Sequence, residues 1–382
     1  MHLAINGWFW GRPTTGSGQY VRHLAEGLES LASDLRISVV LPRDCLEGED
    51  GSGPGPPSSC TLVRTSCPRT NFGKVFFEQV AFPRACAHLG ADLAHVPYWA
   101  PPLRSPVPLV VTIHDVIPLV LPQYRGGAFQ RLYQALVSAA ARRAKSVLTD
   151  SEASRRDILE RLGLAPGQVH AIPLAAATCY HLNPSDDDAA IRARYGLPHR
   201  YVLYLGGFDV RKNLSTVVAG FRQVGPTVAA KCPLVIAGRL PDRDTPFTPD
   251  PRRIVREEHV DDELVHFSGF VREVDKPALY RGAVALLFPS FYEGFGLPPL
   301  EALACGTPVI GSDVASLPEV IGEGGVLVRP HDAAGIASAL TRLITDEDYR
   351  TEMRCRALHQ AARFSWDRTA RATLRNYRET LD

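Results

Sequence analysis

Short apolar runs alternate with amphipathic or irregular stretches along almost the whole of this sequence. The runs are rich in Val, Ile and Leu and are bounded by Gly, Pro and polar residues, which predicts β-strands. Strands that alternate with helices form a parallel sheet with helices on both faces, so the predicted fold class is α/β. The first series of predicted strands is Leu3–Asn6, Ile37–Leu41, Leu62–Thr65, Leu93–Val96, Leu109–Ile113, Ser146–Thr149 and Val169–Ile172, and the second is Tyr201–Leu205, Leu234–Ala237, Val265–Ser268, Ala283–Phe288, Val309–Gly311 and Val326–Val328.

The two series indicate two domains, because a chain of 382 residues is too long for one ordinary domain. The break between the series falls in Ala175–Pro184. We therefore predict an N-terminal doubly wound domain of residues 1–178 and a C-terminal one of residues 179–365. Residues 366–382 form a predicted terminal helix that could pack back on the N-terminal domain.

Charge and apolar content exclude two classes of protein. With 42 basic and 41 acidic residues, the chain lacks the basic excess of a nucleic-acid binder. The most apolar stretch, Pro108–Pro122, is interrupted by His114 and Asp115 and is far shorter than the roughly 20 residues of a membrane helix. The first residues resemble a core strand, not an export signal, and the eight cysteines form no CxxC pair. We therefore expect a cytoplasmic protein with free thiols.

The segment from Leu286 to Pro308, LLFPSFYEGFGLPPLEALACGTP, carries the most chemical information. It predicts a buried strand, a Gly-containing loop, a helix opened by two prolines and a stop at Gly306. The free N–H groups and the dipole at such a helix start suit a diphosphate. Glu293 in the loop and Glu301 in the helix offer carboxylates to the hydroxyls of a ligand. A glycosidase acid/base pair is a weaker interpretation, because this spacing does not secure two carboxyls on either side of one bond.

The same segment resembles the signature of glycosyltransferase family 4, whose members are retaining enzymes of the GT-B fold. The two glutamates, the Gly-Phe-Gly, the paired prolines and the trailing ACGTPVI all agree with that signature. Further similarity lies in TTGSGQY near the N-terminus, TIHDVIPL, TDSEASRRDI and LGGFDVRKNL. The resemblance implies two Rossmann-like domains that face each other across a cleft.

The resemblance also implies roles for individual residues. Glu293 would hold hydroxyls of the transferred sugar and Glu301 the ribose, while Arg211 and Lys212 would stabilise the leaving diphosphate. His114 would lie near the sugar, and Asp115 would orient the loop or the acceptor. The residues expected to carry catalysis are His114, Arg211, Lys212 and Glu293, and those expected to bind the donor are Gly16, Gly18, Val271, Gly294, Phe295, Gly296, Leu297 and Glu301.

The predicted reaction moves a hexosyl group from a nucleotide-diphosphate sugar to a hydroxyl group, with no cofactor and no metal. GDP-mannose is the first expected donor and a UDP-sugar the second. The acceptor is a glycan, a lipid-linked saccharide or a small natural product, bound by the N-terminal domain, whose Asp44–Cys60 and Pro68–Phe82 we interpret as acceptor-selecting loops. Any membrane contact would be peripheral, through a basic helix at Arg131–Lys145 that is also typical of ordinary packing.

Three alternatives remain at this point. A nucleotide-sugar epimerase or phosphorylase would share the architecture, although none of the five lysines lies in a pyridoxal-binding motif. An NAD-dependent dehydrogenase is disfavoured because GxGxxG is missing. A non-catalytic sugar-nucleotide binder is also compatible with the sequence. We interpret the DxD-like Asp242-Arg243-Asp244 as chance, because it lies in a Pro-rich stretch without a strand context.

Overall fold

The computed structural model describes residues 1–12, 15–31, 34–43, 60–68 and 70–382. Over these residues the chain divides into two compact units. Unit 1 comprises Met1–Leu174 and Ser365–Asp382, and unit 2 comprises Ala175–Phe364. Each unit is built on one parallel sheet, which confirms the predicted fold class. No helix within the described ranges is long and apolar enough to cross a membrane.

The sheet of unit 1 has the strand order β3-β2-β1-β4-β5-β6-β7. Its inner strand β1 pairs in parallel with β2 and β4, so that Ile5 lies opposite Val39 on one side and His95 on the other. Nearly every residue of the central strands is buried, because helices cover both faces of a parallel sheet. The strands are β1 His2–Asn6, β2 Arg36–Leu41, β3 Cys60–Arg64, β4 Leu93–Val96, β5 Leu109–Thr112, β6 Ser146–Thr149 and β7 Val169–Ala171.

The helices of unit 1 bear on two predictions. Gly16 and Gly18, which are expected to bind the donor, lie in the first turn of a helix. The expected loop Pro68–Phe82 is mostly helical and contains a π-helix, Phe77–Ala81. Residues 44–59 of the other predicted loop lie outside the described residues. The α-helices of this part are α1 Gly16–Leu31, α2 Asn71–Phe76, α3 Phe82–Leu89, α4 Ile117–Val120, α5 Ala128–Ala141 and α6 Glu152–Leu162.

Unit 2 repeats the plan with the strand order β10-β9-β8-β11-β12-β13. Its strands are β8 Tyr201–Leu205, β9 Leu234–Ala237, β10 Val265–Gly269, β11 Ala283–Phe288, β12 Val309–Ser312 and β13 Gly325–Val328. Its α-helices are α7 Asp188–Arg194, α8 Leu214–Gln223, α9 Pro226–Ala229, α10 Pro251–Glu257, α11 Lys276–Gly282, α12 Leu297–Ala304, α13 Leu317–Ile321, α14 Ala333–Thr345 and α15 Glu347–Ala361.

The last helix, α16 Trp366–Leu381, belongs to unit 1 by its contacts. A side chain at Gly27 of α1 would come within 2.8 Å of Ala370, so a glycine permits the close packing of α1 on α16. The hydroxyl of Tyr377 lies 2.7 Å from Nδ1 of His95 in β4, and both residues are fully buried. These contacts fasten the C-terminus to the sheet formed by the N-terminal half of the chain.

Strand order also places the candidate site. In each sheet the direction in which successive strands are added reverses at one point. This point lies between β1 and β4 in unit 1 and between β8 and β11 in unit 2. Loops that leave neighbouring strands in opposite directions at such a point open a crevice at the carboxyl edge, where ligands bind in doubly wound folds. The loops after β8 and β11 contain Arg211, Lys212 and Glu293.

Candidate active site

Three charged side chains from the two loops meet at the reversal point of unit 2. Arg211 and Lys212 lie on a 3₁₀-helix after β8, and Glu293 lies in the loop after β11. Arg211 Nη1 is 2.6 Å from Glu293 Oε2, and Lys212 Nζ is 2.8 Å from Glu293 Oε1. Each carboxylate oxygen therefore contacts one cation. We call these three residues the Glu293 cluster.

The Glu293 cluster is largely shielded from water, with side chains that are 10 to 15% exposed. Burial opposes ionisation of Glu293, but the charges of Lys212 and Arg211 outweigh it, and the pKa of the carboxyl lies below its ordinary value. Asp209 adds a second carboxylate, 3.6 Å from Arg211 Nε. An arriving diphosphate would therefore share cations that are already paired with carboxylates.

Asn213 fixes the loop that carries the two cations. Its backbone is left-handed, with φ of 56°, which asparagine tolerates better than most residues. The side-chain amide donates to the carbonyl oxygens of Pro289, at 2.9 Å, and Pro330, at 2.5 Å. Sequence reasoning missed this residue, although an asparagine directly before a helix is a recognisable signal.

Ser316 holds the Glu293 loop from the other side. Its fully buried hydroxyl lies 2.9 Å from the carbonyl oxygen of Glu293 and 2.7 Å from that of Phe295. Sequence reasoning missed this contact, because a serine 23 positions away from Glu293 carries no pattern of its own. The loop is therefore anchored through its backbone, which leaves the Glu293 side chain to the cations.

The start of α12 differs in detail from the prediction. Pro298 and Pro299 have no N–H, so Leu297 is the one backbone donor among the first three residues of this helix. The other residues whose backbone N–H groups were expected to bind the ligand are Gly294, Phe295 and Gly296, which lie in the loop before the helix and are buried. Gly296 has a φ of +113°, a backbone conformation that residues with a side chain rarely adopt. Anion binding here would depend on the loop more than on the helix end.

Glu301 lies one turn into α12 and is 3% exposed. Tyr280 donates a hydrogen bond to its Oε2 at 2.9 Å. Burial raises the pKa of Glu301 to about 7, although Lys276 opposes this shift. The two glutamates of the motif therefore differ in charge state near neutral pH.

Val271 and the DxD-like segment follow β10 and β9, two neighbouring strands of this sheet. Val271 is buried and lies two residues after β10, the edge strand. Asp244 Oδ2 is 2.7 Å from Arg253 Nε, so this acid of the segment is part of an ion pair. Across the described ranges, no group of three or more His, Cys, Asp or Glu side chains could hold a metal ion.

In unit 1, His114 follows β5 and contacts an acid that sequence reasoning did not select. His114 Nδ1 lies 2.7 Å from Oδ2 of Asp150, which follows β6 and is buried. Burial would lower the pKa of His114, but Asp150 outweighs it and the pKa is raised. Asp115 accepts a hydrogen bond from the N–H of Ile117 at 2.9 Å and so holds its own loop.

The two glycines of unit 1 have different surroundings. A side chain at Gly18 would come within 1.9 Å of the carbonyl oxygen of Arg12, so a close approach of the chain requires this glycine. A side chain at Gly16 would meet nothing within 4 Å. Only Gly16 therefore has open space beside it at the start of α1.

Two family profiles match the chain in separate segments. A "Glycosyl transferases group 1" profile matches residues 199–346, and a "Glycosyl transferase 4-like domain" profile matches residues 15–175. O-antigen chain mannosyltransferase B of Escherichia coli is 30% identical over 270 residues, which are 70% of this chain and 70% of that protein. The chain belongs to the group 1 glycosyltransferases. It is an enzyme that transfers a sugar from a nucleotide sugar.

Further similar proteins include longer relatives of this glycosyltransferase. The serotype-specific mannosyltransferase WbdA of Escherichia coli is 27% identical over 325 residues, which are 81% of this chain but 40% of WbdA. Among solved structures, sucrose-phosphate synthase from Thermosynechococcus elongatus has a TM-score of 0.74 and 25% identity over 99% of this chain and 98% of its own. Anabaena Alr3699/HepE in complex with UDP and glucose has a TM-score of 0.72 and 17% identity over 99% of this chain and 100% of its own.

Proposed function

We propose that this glycosyltransferase moves a hexosyl group, with retention of configuration, from a nucleotide-diphosphate sugar to a hydroxyl of a glycan, glycolipid or natural product. The Glu293 cluster carries the proposal, because it places two cations and a carboxylate together at the reversal point of a doubly wound sheet. Unit 2 would bind the donor and unit 1 the acceptor.

In the proposed site, Arg211 and Lys212 bind the diphosphate and Glu293 accepts hydrogen bonds from the sugar. The bond between the anomeric carbon and the phosphate oxygen breaks while the acceptor oxygen bonds to the same face of that carbon. The acceptor proton passes to the departing phosphate oxygen, and the nucleoside diphosphate leaves. Cations that face the leaving group stabilise its growing charge. They would supply the positive charge for which other transferases use a divalent metal.

The remaining predicted contacts complete the donor site. Glu301 would hold the ribose and Val271 the base through its backbone. The backbone of Gly294, Phe295, Gly296 and Leu297 would meet the sugar and the distal phosphate. In unit 1, His114 would lie near the transferred sugar, and Gly16 and Gly18 would line the phosphate side.

GDP-mannose is the proposed donor, with a UDP-sugar as the second choice. The mannosyltransferase names of the two Escherichia coli relatives support the first. The Anabaena neighbour binds UDP, but at 17% identity it shows a shared fold and not a shared donor.

Transfer is tested by incubating the enzyme with GDP-mannose or UDP-glucose in EDTA and quantifying free nucleoside diphosphate. We expect release of GDP from GDP-mannose, faster with a hydroxyl acceptor, and loss of release in the Arg211→Ala/Lys212→Ala variant. Release that requires a divalent metal would contradict the metal-independent mechanism. Tight binding without turnover of either donor, with a panel of saccharide acceptors, would favour a non-catalytic binder.

We also propose that the enzyme works in the cytoplasm and that its membrane contact is peripheral, through α2 and α5. Lys74 of α2 contacts the hydroxyl of Tyr133 in α5 at 2.7 Å, so the two helices are neighbours. No acidic residue occurs between Asp115 and Asp150. Exposed apolar side chains with nearby cations favour an anionic bilayer surface. These helices expose Phe72, Phe76, Phe129 and Leu132, and Arg125 and Arg131 are exposed beside them.

Co-sedimentation with vesicles tests this contact. We expect binding to vesicles that contain anionic lipid, weaker binding to neutral vesicles, and a loss of binding in Phe129→Ser/Leu132→Ser. Equal sedimentation of this variant and the wild-type protein would contradict the proposed surface.

A further inference from the structure

Tyr280 of α11 contacts a carboxylate of the proposed donor site from behind. Its hydroxyl donates to Oε2 of Glu301 in α12, at 2.9 Å, and both residues are buried. A buried tyrosine hydroxyl usually finds a hydrogen-bond partner, but that partner is more often neutral. Here it is the acid proposed to hold the ribose.

The ring of Tyr280 is itself held in place. Thr307 donates its hydroxyl to the Tyr280 carbonyl oxygen at 2.5 Å, and the Tyr180 ring packs on the Tyr280 ring with 5.9 Å between centroids. Tyr180 in turn donates to Oε1 of Glu273 at 2.6 Å. The hydroxyl of Tyr280 therefore has little freedom to leave Glu301.

The charges around Glu301 affect both the orientation and the ionisation of its carboxylate. Lys276 and Glu273 face it and form an ion pair of 2.6 Å. A hydrogen bond donated to a carboxylate stabilises its ionised form, and it leaves the remaining lone pairs to accept further bonds. Tyr280 thus favours the state of Glu301 that can accept hydrogen bonds from vicinal hydroxyls.

We infer that Tyr280 is a positioning residue for nucleotide recognition, which fixes the carboxylate of Glu301 so that it accepts from the ribose hydroxyls. The inference rests on the proposed function of Glu301. Tyr280 would not touch the nucleotide and would act only through the carboxylate. Residues that lock the rotamer of a binding group commonly decide how well that group works.

The ratio of the affinities for GDP and 2′-deoxy-GDP, measured by calorimetry in EDTA, reports on this role. UDP and 2′-deoxy-UDP are titrated in parallel, and the pair that binds the wild-type enzyme is used. A hydrogen bond to a charged group predicts a ratio of about ten or more for the wild type. Tyr280→Phe should bring the ratio toward one and leave the affinity for the deoxynucleotide within about twofold of wild type.

Tyr98→Phe is the matched control, since Tyr98 is a buried tyrosine of unit 1 whose hydroxyl donates to a side-chain oxygen, Oδ1 of Asn6, at 3.1 Å. It should leave the ratio unchanged. Glu301→Gln should bring the ratio to one, and this variant is the reference that tests the proposed function. A wild-type ratio near one, or a ratio that survives Glu301→Gln, would refute the ribose role of Glu301 itself.

A ratio that collapses in Glu301→Gln but stays at the wild-type value in Tyr280→Phe would overturn the inference and leave the proposed function standing. Should Tyr280→Phe not fold, Thr307→Val removes the hydroxyl that holds the Tyr280 backbone. That variant should lower the ratio by a smaller factor. An unchanged ratio there would also overturn the inference.

Discussion

Removal of the Glu293 carboxylate should weaken the fold and strengthen anion binding at the same time. In Glu293→Gln the two cations keep their places but lose the charge that compensates them. Breaking a buried ion pair by removing one partner costs about 3–5 kcal/mol. The side chains of the Glu293 cluster are 10 to 15% exposed, so we take the lower end, about 3 kcal/mol. For a unit of this size that loss lowers Tm by about 6–12 °C.

A nucleoside diphosphate should reverse much of this loss. Its phosphates would meet Arg211 and Lys212 without competition from Glu293, so GDP should bind Glu293→Gln at least as tightly as wild type and raise its Tm more. Ligand at about 100 times its Kd contributes about 2.7 kcal/mol of stability. Transfer of the sugar should be lost, because the acceptor for the sugar hydroxyls has lost its charge. Thermal melts with and without GDP measure both effects.

Asp188→Asn is the matched control for these melts, because Asp188 forms a similarly buried ion pair with Arg281 in the same unit. It should lower Tm, and GDP should raise its Tm no more than that of the wild type. Equal rescue of both variants, or a Glu293→Gln protein that melts within about 2 °C of wild type, would refute the reasoning.

Three further predictions follow from single residues. GDP binding near pH 7 should release up to about half a proton, because a Glu301 carboxyl with a pKa of about 7 is half protonated there and the ribose favours its ionised form. Calorimetry in buffers of different ionisation enthalpy measures this release, and the same release from Glu301→Gln would contradict the prediction. Asp150→Asn should cost more stability at about pH 5.5 than at about pH 8.5. The raised pKa of His114 stabilises the folded protein below the pKa that this histidine has in the unfolded state, and the stabilisation is lost as the pH rises through its pKa in the folded state. Urea unfolding at both values checks the sign, and an equal cost would refute it. Gly296→Ala should lower the free energy of unfolding by about 1–3 kcal/mol, because φ is +113° and the new methyl group would lie 3.0 Å from Leu317. Gly16→Ala should change it by less than about 1 kcal/mol, because a side chain there meets nothing within 4 Å. Equal urea midpoints of the two variants would count against this prediction.

The strands of this fold were predictable because parallel strands are buried on both faces. Tyr201–Leu205 and Ser146–Thr149 are continuous apolar or small runs between polar turns, and the structure confirms both ranges. The helix that replaces the predicted loop at Pro68–Phe82 was not predictable in the same way. Its π-helix breaks the 3.6-residue period and buries Glu78, so the segment lacks a regular amphipathic pattern.

Residues of the candidate site could be selected from the sequence where they lie in a recognisable short motif. Glu293 and the Arg211-Lys212 pair were selected from local motifs, and the structure places them in contact. Asp150 and Ser316 were not selected, because they lie 36 and 23 residues from His114 and Glu293, the residues that they contact. Asp150 stands in the TDSEASRRDI segment, but the sequence does not show that its carboxylate meets His114. Tertiary contacts of this kind depend on strand order, which the sequence pattern does not state.

We propose that the donor's diphosphate binds at Arg211 and Lys212. The decisive measurement is a calorimetric titration with GDP, UDP, ADP and dTDP in EDTA, on the wild-type enzyme and on Arg211→Ala/Lys212→Ala. We expect micromolar binding of one nucleotide, GDP first, and loss of that binding in the variant. Binding that survives the loss of both cations would mean that the diphosphate binds elsewhere.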